Sequence, residues 1–346
     1  MLVFLVSSYQ DQAQILRLVR VLREQSPSCR IVVRHDISGL PLEAAAFSDY
    51  EAAVWPTPRA IAWGDYSHME SLLAAMRGLA LEDDDWLVHL SAQDYPLRPL
   101  DEFERFLMTS GAAMMLEQSI LSNPDRVQLL ARYQRRALRV PRMQVGNQAL
   151  GEHVAAAVLA GADKLGLGPR MVETPHRGPF VVETARRRTL IDLGFEPRMG
   201  SDYYVLTGRA VRTLLSVLDD RPALARYFRA TLVPSEGLVH TVLLGTDLVN
   251  VAEPLHYLRW SGGWHPDLLG PEDVPDMLAS GRWFARKFPP GSTALDLLDA
   301  AMFRAGRDLA VGSERVERAE GDDPAAPRET VARRLDELEE DLGGQQ

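Results

Sequence analysis

The sequence predicts an α/β protein with a Rossmann-like, mainly parallel central sheet flanked by helices. The main observation is that short apolar or β-branched runs alternate with stretches whose apolar residues recur at helical spacing. Strands that alternate with helices in this way are typical of βαβ units, whose strands pair in parallel. The chain has 346 residues, 46% of them hydrophobic, so it is long enough to form a large core around such a sheet.

The predicted elements follow one another closely in the N-terminal part of the chain. The first strand covers residues 3–7 and precedes a stretch with one apolar helical face. A second, β-branched strand is predicted at residues 30–34. Ser67 and Glu70 have the spacing of a capping box, so we expect a helix to begin at Ser67. A third strand is predicted at residues 86–90, before a turn that contains proline.

In a parallel sheet, ligands bind beyond the carboxyl ends of the strands. Ser7, Asp36 and residues 91–96 follow the three predicted strands and are therefore candidate positions at the edge of a site. The middle of the chain, residues 120–190, has no clear pattern but contains a cluster of arginines. A solvated helix face is the favoured interpretation of this cluster, and contact with an anionic acceptor is the alternative. The arginines are Arg126, Arg132, Arg135, Arg136, Arg139 and Arg142.

Composition narrows the possible partners and the location. A net charge of -10 argues against binding to nucleic acid or to anionic membranes, because phosphates would be repelled. The single cysteine, Cys29, cannot form an internal disulfide, so no oxidising compartment is required. The apolar N-terminal run is too short for a signal peptide or a membrane anchor. We therefore expect a soluble cytoplasmic protein without stable membrane insertion.

Several common active-site motifs do not occur in the sequence. There is no Gly-x-Ser-x-Gly elbow, so a hydrolase triad has little support. The residues after the first strand contain no glycine-rich phosphate loop, which argues against a Rossmann-type oxidoreductase. The sequence also lacks His-Glu-x-x-His and any cysteine and histidine cluster, so a zinc site is not expected.

A different group of residues could serve a nucleotide-sugar transferase. Such enzymes often hold a divalent ion with an Asp-x-Asp pair after a sheet strand, because the departing diphosphate needs its charge neutralised. Here the third strand is followed by one carboxylate, Asp94, whereas Asp83 and Asp85 precede it in an acidic turn. Protein cations would then replace the metal, and the adjacent Arg286 and Lys287, flanked by apolar residues, suit that role.

Five blocks of sequence occur in the same order as in a known family. They cover residues 63–67, 90–97, 200–204, 234–241 and 284–288. In these blocks the chain resembles the core-2/I-branching N-acetylglucosaminyltransferases and peptide O-xylosyltransferases, glycosyltransferase family 14. The resemblance implies a GT-A fold, a UDP-sugar donor, inversion at the anomeric carbon and no metal or other cofactor. With it we predict a GT-A domain over residues 1–312, with a donor-binding part to about 110 and an acceptor and catalytic part from about 111. From about residue 313 the composition becomes highly charged, which predicts a charged tail at 313–346.

The resemblance also implies roles for particular residues. Glu236 matches the catalytic base, which would accept the proton of the attacking hydroxyl. Asp36 and residues 61–63 match nucleoside contacts, Asp202 lies beside the donor sugar, and Arg286 with its neighbour holds the diphosphate. The full set of predicted substrate-binding residues is Val6, Asp36, Ile61, Trp63, Asp94, Asp202, Tyr203, His265, Arg286 and Lys287.

Some features depart from the family pattern and leave alternatives open. Residues 264–270 contain no arginine, which puts a further diphosphate cation in doubt. The family's animal members carry anchors and disulfides, so this chain is expected to be a bacterial, cytoplasmic member with an undefined sugar or other hydroxyl acceptor. N-acetylglucosamine is the first expectation for the donor sugar and xylose is the second. The alternative function is a non-catalytic relative that binds a nucleotide or glycan in a biosynthetic complex.

Overall fold

The computed structural model describes residues 1–117, 132–140, 150–172, 180–261 and 265–302. Packing divides the chain into two compact units. The first contains Met1–Ala92 and Leu107–Pro254, and the second contains Gln93–Phe106 and the described part of Leu255–Gln346. The predicted tail at 313–346 lies outside the described residues. The predicted functional division near residue 110 stays a prediction, because packing alone defines these units.

The secondary structure elements are numbered in chain order. The strands are β1 (Leu2–Ser8), β2 (Arg30–His35), β3 (Ala52–Pro56), β4 (Trp86–Ser91), β5 (Tyr95–Pro96), β6 (Met114–Met115), β7 (Arg135–Val140), β8 (Arg170–Val172), β9 (Phe180–Ala185), β10 (Val205–Thr207), β11 (Asn250–Val251), β12 (His256–Tyr257) and β13 (Phe284–Ala285). The α-helices are α1 (Gln12–Gln25), α2 (Tyr66–Gly78), α3 (Leu100–Thr109), α4 (Leu150–Lys164), α5 (Gly208–Asp220), α6 (Pro222–Arg229), α7 (Ser235–Leu243) and α8 (Val274–Ala279). Short 3₁₀ helices cover Ala44–Tyr50, Arg132–Gln134, Ile191–Leu193 and Pro271–Asp273.

A seven-stranded sheet forms the centre of the first unit, with strand order β11-β6-β10-β4-β1-β2-β3. Strands β4, β1, β2 and β3 pair in parallel, and β10 is antiparallel to both β4 and β6. The central strand β1 is an almost fully buried apolar run, as expected for a strand covered on both faces. The predicted α/β class with a Rossmann-like, mainly parallel sheet is confirmed.

The connections place helices on both faces of this sheet. The β1–α1–β2 and β3–α2–β4 crossovers run in opposite directions along the sheet, so right-handed connections put α1 and α2 on opposite faces. On one face, Val3 and Leu5 of β1 share a core cluster with Met69 of α2. The strand order reverses between β1 and β4, and in such sheets a ligand crevice opens at the carboxyl ends of the strands.

Helix α2 begins one residue earlier than its capping pattern predicts. Asp65 is the N-cap, because its carboxylate accepts a hydrogen bond from the backbone N–H of Ser67 at 2.7 Å. Ser67 itself lies within the helix, and its hydroxyl accepts a hydrogen bond from the Ala62 N–H at 3.0 Å. The predicted start at Ser67 is therefore wrong, since an aspartate two residues upstream takes the capping position.

The cluster of arginines in the middle of the chain does not form a solvated helix face where the structure describes it. Arg135–Val140 is strand β7, which pairs antiparallel with β9 in a second sheet of order β7-β9-β8. Arg135 forms an ion pair with Glu183, and Arg139 forms one with Asp65. The helical interpretation is wrong because β9 supplies the backbone hydrogen bonds that make this segment a strand. Arg126 and Arg142 lie outside the described residues.

The second unit contains a three-stranded sheet of order β12-β13-β5. In this sheet β13 is parallel to β12 and antiparallel to β5, so Ala285 pairs with Tyr95. The register brings the residue before β5, Asp94, next to the residue after β13, Arg286. Within the described ranges, the helices are all too short or too polar to cross a membrane.

Candidate active site

Glu236 lies in the first turn of α7, and two contacts fix the backbone of this turn. Its carbonyl oxygen accepts a hydrogen bond from the Gly200 N–H at 2.9 Å. The next residue, Gly237, packs so closely on Tyr133 that a β-carbon there would lie 2.5 Å from the tyrosine ring. A side chain at Gly237 would therefore push the start of α7 away from Tyr133 and move Glu236 with it.

The carboxyl group of Glu236 is in an unusual electrostatic environment. Its side chain is 33% exposed, but the surrounding protein still removes enough water to disfavour the ionised form. This desolvation, together with the nearby Asp202 carboxylate, raises the pKa of Glu236 to about 7. The positive charge of Arg132, whose Nη1 lies 3.2 Å from Glu236 Oε2, lowers this pKa in part. Glu236 can thus take up or release a proton near neutral pH, which is a requirement for a general base.

Asp202 is tied to the central sheet through a chain of buried and partly buried polar groups. Arg34 Nη2 donates a hydrogen bond to Ser7 Oγ at 2.7 Å, and Ser7 Oγ lies 2.8 Å from His89 Nε2. His89 Nδ1 lies 2.7 Å from the Asp202 carbonyl oxygen, so that nitrogen carries the proton and Nε2 accepts from Ser7. The Tyr203 ring packs against His89 with 5.4 Å between the ring centroids. The loop that carries Asp202 and Tyr203 is therefore anchored on β1, β2 and β4.

The residues predicted to contact the nucleoside lie beyond the carboxyl ends of β2 and β3. Asp36 Oδ1 accepts hydrogen bonds from Ser38 N at 3.0 Å and from Ser38 Oγ at 2.9 Å. The same carboxylate accepts from the Ile61 N–H, with 3.2 Å to Oδ2. Trp63 is half-buried against a small apolar cluster, whereas Val6 is fully buried within β1. The structure thus brings Asp36 and Ile61 together, and their contacts with a ligand stay predictions.

The second unit has a site of its own around Asp94. The Asp94 side chain is 0% exposed, and its Oδ1 lies 3.3 Å from Arg286 Nε. Its Oδ2 lies 3.1 Å from His256 Nε2. The prediction that Asp94 binds substrate stays untested. In this structure its carboxylate is instead buried between two other side chains, and it holds the Arg286 guanidinium in place.

Two further predicted residues lie in the same unit. Burial and the neighbouring charge of Arg286 lower the pKa of Lys287, which is half-buried. His265 is half-buried in the loop that precedes α8. Across the part of the chain that the structure describes, no three His, Cys, Asp or Glu side chains come together as ligands for a metal ion.

Sequence analysis did not assign to this site three residues that shape it: Arg132, Arg34 and His89. The signal for Arg34 and His89 was present, because each interrupts an otherwise apolar strand. A polar group in a buried strand requires a hydrogen-bonding partner and thus points to a built network. Arg132 had no comparable local signal, because its pairing with Glu236 joins segments that are far apart in sequence.

Comparison with known proteins gives three findings. The family model of the Core-2/I-Branching enzyme matches residues 3–278. The beta-glucuronosyltransferase GlcAT14C of Arabidopsis thaliana is 26% identical over 239 residues, 66% of this chain and 53% of that protein. The chain thus spans about half the length of this curated relative. The crystal structure of mouse xyloside xylosyltransferase 1 in its apo form matches with a TM-score of 0.33 and 9% identity, over 82% of this chain and 97% of that one.

The buried position of Asp94 leads to a prediction about stability. Asp94→Asn keeps the size of the side chain but leaves the Arg286 charge without its buried partner. Breaking a buried ion pair costs about 3–5 kcal/mol, so we expect the free energy of unfolding to fall by about 3 kcal/mol in urea titrations. The control is Asp101→Asn, whose carboxylate forms an exposed pair with Arg105, and this change should cost less than about 1 kcal/mol. Equally small losses for both variants would contradict the anchoring role of Asp94.

Proposed function

The chain belongs to the Core-2/I-branching enzyme family, and from that premise we propose that it is an inverting, metal-independent glycosyltransferase. It moves a sugar from a UDP-sugar to a hydroxyl acceptor, with Glu236 as the general base. Membership of the family supports the transferase activity, and the stereochemistry, the donor and the residue roles are the finer parts of the proposal. The observation that carries the proposal is the Glu236 carboxyl group, whose pKa is raised to about 7 beside Arg132 and Asp202.

The proposed reaction is a single displacement. The acceptor hydroxyl donates its proton to the Glu236 carboxylate while its oxygen attacks the anomeric carbon from the face opposite UDP. The bond between that carbon and the diphosphate oxygen breaks, and its electron pair leaves with UDP. A base with a pKa near the working pH suits this step, because about half of it is ionised and the carboxylate still binds the proton well. Asp202 is placed to orient the hydroxyl groups of the donor sugar.

The departing diphosphate requires positive charge, and we assign that role to Arg286 and Lys287. The Asp94 carboxylate supports this assignment, because it fixes Arg286 before any ligand arrives and so reduces the entropy lost on binding. Positive groups that are already in place stabilise charge that develops in the transition state more effectively than mobile ones. The adjacent Lys287, with its lowered pKa, adds a second cation at the same strand end.

The donor sugar remains to be identified among three candidates. N-acetylglucosamine and xylose are the two predicted from the resemblance. Glucuronic acid joins them because the curated relative is named a beta-glucuronosyltransferase. A cytoplasmic location and a bacterial source stay predictions from the sequence.

A donor panel tests this function directly. UDP release should be measured for the three UDP-sugars with simple hydroxyl acceptors, in the presence of EDTA and then with added manganese. We expect acceptor-dependent release from one donor, at a rate that EDTA leaves unchanged. UDP binding without release from any donor would favour the non-catalytic alternative. Activity that disappears with EDTA and returns with manganese would contradict metal independence.

A substitution at Glu236 tests the proposed base. Glu236→Gln preserves size and hydrogen bonding but cannot accept a proton, so transfer should fall by about 10²–10⁴-fold while calorimetry still detects UDP binding. The matched control is Glu196→Gln, which changes a 72% exposed glutamate that is also paired with an arginine. This control should transfer at the wild-type rate. Near-normal transfer by Glu236→Gln would remove Glu236 from the mechanism.

A further inference from the structure

The turn that precedes Glu236 is tied to the start of α2 by one arginine, Arg139 of strand β7. Arg139 Nη2 donates hydrogen bonds to the carbonyl oxygens of Gly64, at 2.5 Å, and of Thr231, at 3.0 Å. Its Nε lies 3.3 Å from Asp65 Oδ2, and its side chain is largely buried. One guanidinium therefore joins two segments that lie far apart in sequence.

The two segments are also joined directly through Val233. The Val233 N–H donates a hydrogen bond to the Gly64 carbonyl oxygen at 2.9 Å, so Gly64 accepts from both Val233 and Arg139. Val233 has φ of 49°, a left-handed conformation that a β-branched residue rarely adopts. Such a conformation persists only where its surroundings hold it in place. The turn before Glu236 thus depends on bonds to Gly64 and its neighbours.

We propose that Arg139 is a positioning residue that holds Glu236 in register with residues 61–65, a segment that contains the predicted nucleoside contacts. It acts through the Gly64 and Thr231 carbonyl groups and the Asp65 carboxylate, and it makes no contact with Glu236 itself. This proposal rests on the proposed function, in which Glu236 is the base and residues 61–63 contact the nucleoside. Arg139 thereby keeps the base and the nucleoside contacts aligned.

The same strand provides a matched comparison. Arg135, four residues earlier on β7, also pairs with a carboxylate, that of the buried Glu183. The Arg135 guanidinium donates to the carbonyl oxygens of Gly168, in the loop before β8, and of Glu183, in β9, whereas Arg139 donates to Thr231 in the turn before Glu236. In each case the carboxylate has a second arginine close by, which is Arg59 for Asp65 and Arg170 for Glu183. Loss of either Arg135 or Arg139 therefore leaves the acid with a partner.

The loss of Arg139 should affect Glu236 in two measurable ways. A displacement of about 1 Å in a reacting group can cost roughly 10²-fold in rate, so kcat should fall by about that factor. Ile61 is held independently by Asp36, so the KM for the donor should change little. A looser turn also admits water, and the pKa of Glu236 should fall from about 7 towards its ordinary value.

The Arg139 and Arg135 substitutions do not alter the other charged and titratable residues near Glu236. They are Arg132 and Asp202, the Tyr133 phenol, and the neutral ring of His240 one turn further along α7. The low-pH limb of the kcat/KM profile, which follows loss of the ionised base, should therefore move to lower pH in the variant. A change that merely lowers stability would leave this limb where it is.

The experiment compares Arg139→Met with Arg135→Met in the full chain. We expect faster hydrogen exchange at the backbone amides of residues 231–237, the roughly 10²-fold lower kcat and the shifted pH limb in Arg139→Met only. Arg139→Lys keeps the charge but has one nitrogen, so it should show smaller changes in the same direction. The lysine variant serves as the test if the methionine variant does not fold.

Two results would overturn the positioning role. Exchange at residues 231–237 that matches the wild type in both Arg139 variants would show that the turn does not depend on this arginine. Equal changes in the Arg135 and Arg139 variants would show a general effect of losing an ion pair. If no UDP-sugar is turned over by the wild type, the proposed function fails, and hydrogen exchange alone still decides whether Arg139 positions the turn.

Discussion

The site in the first unit depends on a carboxylate that is partly removed from water. A desolvated carboxylate is costly when ionised, and the nearby Asp202 increases that cost, whereas Arg132 reduces it. The balance leaves Glu236 near the point where its protonated and ionised forms have equal free energy at neutral pH. Small movements of Glu236 relative to Arg132 or Asp202 would change this balance. The surrounding structure must therefore hold Glu236 firmly.

Several features of the first unit meet that requirement. Gly237 allows α7 to pack on Tyr133, and the Gly200 N–H binds the Glu236 carbonyl oxygen. Asp202 is fixed from the other direction by the buried chain of Arg34, Ser7 and His89, which runs across the ends of β2, β1 and β4. Burial lowers the pKa of Arg34 only to about 10, so this arginine stays charged at neutral pH. The parallel sheet thus provides the rigid support that fixes Asp202 beside Glu236.

The sequence predicted the sheet because its signals are local. The buried apolar runs and the helical faces between them each show their period within a few residues. Topology then explains why Asp36 and Ile61 meet, since both lie near the carboxyl ends of parallel strands. The resemblance in the block around residue 236 added Glu236, which no periodicity would have distinguished from an ordinary residue in the first turn of a helix.

Other parts of the site depend on contacts that no local pattern reveals. Strand β7 was missed because its partner strand β9 lies about 45 residues further along the chain. A segment with many arginines also has the composition of a solvated helix face. For the same reason Arg139 was not recognised as a link to Gly64. The position of Asp94 after the third strand and the family resemblance made it a candidate for substrate binding, but sequence alone does not report that this side chain is fully buried against Arg286.

The central claim is that the protein environment gives Glu236 a pKa near neutrality. Carbon-13 NMR of protein labelled at the glutamate carboxyl groups measures this pKa directly, and the signal that is absent from Glu236→Gln identifies the residue. A titration of the ligand-free protein should show that signal changing with a midpoint near pH 7. A midpoint at about pH 4.3, the ordinary pKa of a solvated glutamate, would contradict the account.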